Sequence, residues 1–128
     1  MLPPVRAALL ADATVVSLLG SGSINGGSNL GGVWCHGEAP QGAEPPYITW
    51  FCTIAPENEL SDVPGMDRCT VQLDAWHTTD DGVVALATAA RNAIEPLAHC
   101  TAVPVNGRDA TTRWYRIGMQ FDWFLPRT

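Results

Sequence analysis

The chain contains no lysine. All seven of its cations are arginines, set against thirteen acidic residues, and the net charge is −6. Duplex DNA is held mainly by cations that neutralise phosphates, so this balance argues against unassisted DNA binding. No apolar run approaches the roughly 20 residues of a membrane span, and residues 1–20 have neither the basic start nor the cleavage site of a secretory leader. Paired CxxC cysteines are missing too. Cys35, Cys52, Cys69 and Cys100 stand apart, too sparse for a disulfide scaffold, and read as buried, reduced thiols. The absence of lysine beside abundant Ala, Arg, Gly and Pro reads as coding bias and is given no function.

What is present suits a folded domain. With 46% apolar and 16% charged residues, a chain of 128 residues is too apolar for disorder and has the size of one domain, residues 1–128. A chain of this length buries about two-thirds of its unfolded surface. The expectation is a soluble, acidic, intracellular-type domain.

Pro3-Pro4 ahead of Val5–Ala11 opens a helix, because proline at a helix start sacrifices no hydrogen bond. Asp12 can cap a continuation over Ala13–Leu19 that stops at Gly20. Val5, Leu9, Leu10, Val16 and Leu19 form its apolar stripe. Residues 20–32 (GSGSINGGSNLGG) and 37–46 read as long Gly/Pro-rich loops, with Val33-Trp34-Cys35 between them as a candidate short strand.

Three strands follow on period-two alternation. In Tyr47–Ile54, Ile48, Trp50, Cys52 and Ile54 share a side. In Asp67–His77, Cys69, Val71, Leu73 and Ala75 do so. In Arg113–Leu125, Tyr115, Ile117, Met119, Phe121 and Trp123 oppose Trp114, Arg116, Gln120 and Asp122. Ala55–Met66 is a hairpin connection. Between the last two strands, Thr79, Asp80 or Asp81 caps a helix on which Val83, Leu86, Ala87, Ala90, Ile94 and Leu97 recur at helical spacing, with Pro96 ending it. Val103–Asn106 and Gly107 carry the chain back. The expected fold is α+β: a mostly antiparallel sheet of three to four strands with two helices on its apolar face.

Motifs that carry chemistry are scarce. Gly20-Ser21-Gly22-Ser23-Ile24-Asn25 has asparagine where GxGxxG needs its third glycine, it follows a helix rather than a strand, and no GK[ST] occurs. No GxSxG elbow is present. Cys35, His36, Cys52, Cys69, His77, His99 and Cys100 are zinc-ligand types. Two pairs are adjacent, however, and strand neighbours point to opposite faces, so no metal or cofactor is expected. Asp74, His77, Asp80 and Asp81 suggest acid–base work, but capping explains Asp80 and Asp81, and the polar side of its strand explains Asp74. A small metal-dependent enzyme using His77 is the alternative of a different class.

The polar side of the sheet is unusual. Trp76 and Trp114 lie there among Arg68, Arg116, Gln72, Gln120, Asp74 and Asp122, and tryptophan with arginine is the composition of protein–protein interface centres. An equally open reading is that a loop or the first helix of the same chain covers these tryptophans. Arg68, Trp76, Trp114, Arg116, Trp34 and Leu30 are the candidate interface residues.

LLADATVVSLLG, the Gly/Pro-rich loop, PPYITW, VQLDAWHTTDDGVVALATAARNAI and WYRIGMQFDWF together resemble the tail-completion, or tail-to-head joining (tail terminator), proteins of long-tailed bacteriophages. The likeness spans nearly the whole chain and consists of core and cap residues, not a catalytic signature. It implies a non-enzymatic virion protein that forms a ring with copies of itself, usually a hexamer, at the head-proximal end of the tail. Such a ring stops tube polymerisation and meets the tail tube protein and the head connector or stopper protein, after assembly in the host cytoplasm. DNA passes through the ring, and a lumen poor in cations would not grip it. A different head–tail connector component or a tail tube subunit is the alternative within the same area.

Overall fold

A computed structural model describes residues 3–19, 33–35, 46–57, 66–111 and 113–126. Its elements are α1 (Val5–Leu10), α2 (Ala13–Leu19), β1 (Val33–Cys35), β2 (Tyr47–Glu57), β3 (Met66–His77), α3 (Asp80–Ile94), β4 (His99–Arg108) and β5 (Tyr115–Pro126). Leu30, His36, the glycine-rich run and the loop between β2 and β3 lie outside the described residues.

The strands form one five-stranded sheet in the order β1-β2-β3-β5-β4. It is α+β as expected, but the sheet is mixed and larger: β1 pairs parallel with β2, through Val33↔Ile48 to Cys35↔Trp50, while the other pairs are antiparallel. β3 and β4 run the same way with β5 between them, and α3 makes the connection from β3 to β4. The additional strand is β4. Its alternation is hidden by Pro104 and Gly107 and by register shifts against β5 between Cys100 and Ala102 and between Ala102 and Val105.

The first helix is two helices, giving three in all. Asp12 Oδ1 accepts from the Thr14 and Val15 amides at 2.9 and 3.1 Å, so its side chain takes the amides that would continue α1 and starts α2 afresh. The restart rotates the apolar stripe: Val15 is fully buried, while Val16, the residue expected inside, is 46% exposed.

Thr79 caps α3 with extended backbone, its Oγ1 accepting from the Gly82 amide at 3.1 Å, and Asp80 and Asp81 occupy the positive first turn. Val83, Leu86, Ala87, Ala90 and Ile94 are buried as read. Leu97 is not: the helix ends at Ile94, the Leu97 and Ala98 amides both donate to the Ile94 carbonyl, and Ala98 is buried in its place.

The core lies between the helices and one side of the sheet. Cys69, Val71, Leu73 and Ala75 from β3 meet Ile48 and Trp50 from β2 and Ile117, Met119, Phe121 and Trp123 from β5, beneath Leu86 and Ile94 of α3 and Val5, Leu9, Val15 and Leu19 of α1 and α2. Each large aliphatic or aromatic group so buried contributes about 1.5–3 kcal/mol. α3 packs on β3 and β5, and α1 and α2 pack on α3. Among the described residues, the helices thus occupy one side of the sheet only.

Candidate assembly surface

The other side is built by the alternate residues of the same strands, and its cross-strand rows are set by the register. One row is Tyr47, Trp76, Arg116 and Gly107; the next is Thr49, Asp74 and Gly118; a third is Phe51, Gln72, Gln120 and Ala102. Phe51 and Phe124 are exposed there, and Arg68, opposite Phe124, is exposed as well.

At one end the rows lock together. Asp74 is the buried charged residue among those described, 5% exposed. Its Oδ2 lies 3.2 Å from Nη2 of Arg116, and its Oδ1 accepts from Gln72 Nε2 at 3.1 Å. Gly118 stands directly opposite Asp74 in the register, and Arg116 two residues before it pairs with Asp74 across the strands. The guanidinium of Arg116 stacks 5.2 Å over the Trp76 ring, and Trp76 Nε1 donates to Thr49 Oγ1 at 3.1 Å. Tyr47 lies against Trp76 (6.1 Å, tilted) and meets Trp114 edge-on at 6.2 Å. Burial raises the Tyr47 hydroxyl above its ordinary pKa. Aromatic and cation–π contacts of this kind contribute about 0.5–1.5 kcal/mol each.

Arg113 and Trp114, expected in the last strand, instead belong to the turn before it. Arg113 has φ 63°, a left-handed conformation that β-strand cannot continue. The Asp109 amide donates to the Trp114 carbonyl, the Arg113 amide to the Asp109 carbonyl, and Arg108 Nε to the Arg113 carbonyl at 3.1 Å. Arg108 also stacks 5.5 Å over Tyr115. Trp76, Gly107, Arg108, Asp109 and Arg116 line a cleft of about 300 Å³.

Of the residues singled out from the sequence, Trp76, Arg116 and Trp114 come together at this corner, the last through Tyr47. Arg68 sits eight residues along β3 from Trp76, roughly 26 Å away. Trp34, beside Thr49 in the register, is 8% exposed, and its Nε1 has no hydrogen-bond partner among the described residues. Tyr47, Arg108 and Asp109 were missed. The alternation of β2 did place Tyr47 on this side, but Arg108 and Asp109 depend on β4, which the sequence pattern conceals.

The acid–base candidates have structural positions. His77 Nδ1 lies 3.1 Å from the Thr79 amide, which donates to it, and its ring packs against Gly82 where a Cβ would stand. Asp74 is held by Arg116 and Gln72. The four cysteines are free thiols, and burial raises that of Cys52. Among the described residues, no three His, Cys, Asp or Glu side chains converge as a metal site, and no helix is long and apolar enough to cross a membrane.

Fold and surface define an α+β domain with helices on one side of its sheet and an ordered aromatic–arginine cluster on the other. The chain belongs to the tail completion protein gp17 family, whose profile matches residues 3–125, and it is a structural protein of the phage tail. A chain in the virion of a native gene transfer agent (GTA) particle shares the fold. It is 15% identical with a TM-score of 0.62, over 95% of this chain and 91% of that one. No curated protein matches.

Proposed function

We propose that this protein is the tail terminator: a ring of copies that caps the head-proximal end of the tail tube, stops its polymerisation and presents a surface to the head connector. The observation that carries this reading is the sheet side left without a described helix, on which Trp76, Trp114 and Arg116 are already ordered and to which Arg68 adds a second cationic position. A preformed aromatic–arginine cluster costs little entropy to dock, and such residues dominate interface energetics. Membership of the tail completion family supports the role, and the net charge of −6 suits a channel through which DNA moves without being gripped.

Negative-stain microscopy of tails made with and without the gene tests the reading. Over-long or unjoined tails in its absence, with the protein at the tube end in its presence, are expected. Absent tubes would instead make it a tube subunit, and normal tails would refute both.

A further inference from the structure

Nothing in the described structure requires a glycine at position 107. Gly107 lies in β4 with its φ outside the left-handed region, and a Cβ there would meet nothing within 4 Å. Glycine inside a strand weakens it, so the residue brings a cost without a conformational or packing reason. It does directly follow Asn106, and both residues are exposed. The side-chain carbonyl carbon of an asparagine lies within reach of the next residue's main-chain nitrogen. A side chain on that next residue hinders the approach, and glycine has none.

Local structure decides whether the nitrogen ever makes that approach, because an amide held in a ladder cannot turn toward the side chain. β4 holds its amides poorly. It is a sheet edge paired with β5 alone, its register breaks twice before Val105, and Thr101–Pro104 and Asn106–Arg108 are all exposed. Segments with exposed backbone bonds and little packing open at low free-energy cost. Asn92, the other described asparagine, lies within α3 and precedes Ala93, so it has neither advantage.

We propose that Asn106 is a site of spontaneous deamidation. The Gly107 nitrogen gives its proton to base and bonds to Asn106 Cγ. The Cγ–Nδ2 bond breaks, ammonia leaves, and a five-membered succinimide remains. Water then opens either of its carbonyls, leaving aspartate or isoaspartate at 106, with no oxidation or reduction and water as the co-reactant. Both products add a negative charge, and isoaspartate also inserts one carbon into the main chain. Asn106 pairs with Ile117 and Arg108 with Tyr115, so their side chains share one side of the sheet, about 7 Å apart along the strand. The new carboxylate therefore competes with the Arg113 carbonyl for the Arg108 guanidinium. The inserted carbon shifts Gly107 from its place opposite Arg116, beside the Arg116–Trp76 stack. The corner ages with the protein, whatever its role in the tail.

Peptide mapping of purified protein incubated at mildly alkaline pH tests this. Without lysine, trypsin cuts only after arginine, so residues 92–108 form one peptide, separate from the Asn25-Gly26 step. The expected result is a gain of about 1 Da at Asn106 with isoaspartate among the products, and an unchanged Asn92. The native rate should be no more than about a hundredfold below that of the urea-unfolded chain. Gly107→Ala, which the open space accommodates, should melt no lower than wild type and slow the gain at least about tenfold. A native rate slower still than that hundredfold limit would show that the ladder protects Asn106 and overturn the proposal. So would equal rates with glycine and alanine at 107.

Discussion

Replacing Asp74 by alanine strikes the one described side chain that is charged, buried and bonded through both oxygens. The change strands Nη2 of Arg116 and Nε2 of Gln72, which sit 3.2 and 3.1 Å from the carboxylate. Breaking a fully buried pair costs about 3–5 kcal/mol. Here the Arg116 side chain is 35% exposed, so water reaches part of the guanidinium and the cost falls. Its Nε, however, is buried with no partner among the described residues, so the group cannot swing out freely without leaving Trp76. These opposing terms put Asp74→Ala at about 2 kcal/mol, near the middle of the range for charged hydrogen bonds. That corresponds to roughly 6–10 °C in melting temperature for a domain of this length. Urea denaturation of Asp74→Ala, Arg116→Met and the double variant reads the coupling, expected at about 1–2 kcal/mol. A loss below about 0.5 kcal/mol for Asp74→Ala, with no coupling to Arg116, would refute the claim that this pair organises the open side of the sheet.

Other perturbations test other parts of the structure. Asp12→Ala removes both cap bonds of α2 and should cost about 1 kcal/mol in denaturant titrations, whereas Asp12→Asn should recover most of it. Gly82→Ala should drive the His77 ring off the Thr79 amide and gain little or lose stability. In a His77→Ala background the same change should stabilise by about 0.5–1 kcal/mol, and equal effects in both backgrounds would count against the packing described. Alkaline pH should destabilise the protein. Burial raises Tyr47 and Cys52 above their ordinary 10.0 and 9.0, so the unfolded chain loses these protons first. Their contribution is intact below those ordinary values and disappears as pH climbs through the raised ones. Tyr47→Phe should flatten the fall in stability between about pH 9 and 11, and an unchanged slope would contradict the burial of its hydroxyl.

How legible the fold was depended on whether a segment kept one period throughout. β3 and β5 alternate over most of their length, and α3 carries a complete helical stripe between a threonine cap and a proline. The residues read as inward are accordingly buried, Leu97 and Tyr115 excepted, while Asp74, Ala89 and Gly118 are buried beyond that reading. Asp12 was legible as a cap, but a cap that interrupts a helix also rotates the turns after it, and that phase change turned Val16 out and Val15 in. β4 was invisible because proline, glycine and two register shifts erase its alternation. Missing β4 concealed Arg108 and Asp109, and with them the cleft. Trp76 and Arg116 could be placed on one side of the sheet from spacing alone. Their stacking, and the burial of Asp74 beneath it, depend on which strands are neighbours, and no local pattern encodes that.

The position of β5 governs when the molecule can come together. Laid down after every other described strand, it lies between β3 and β4, with Met66 opposite Pro126 and His99 opposite Asp122. Until residues 115–126 have been synthesised, β3 and β4 have a gap between them, α3 has only part of its floor, and Arg116 is absent from Trp76. Nascent chains are thus held unripe until β5 has emerged, with native pairings as distant as sixty residues still to close. Maturation of the monomer and completion of its aromatic–arginine cluster become the same event.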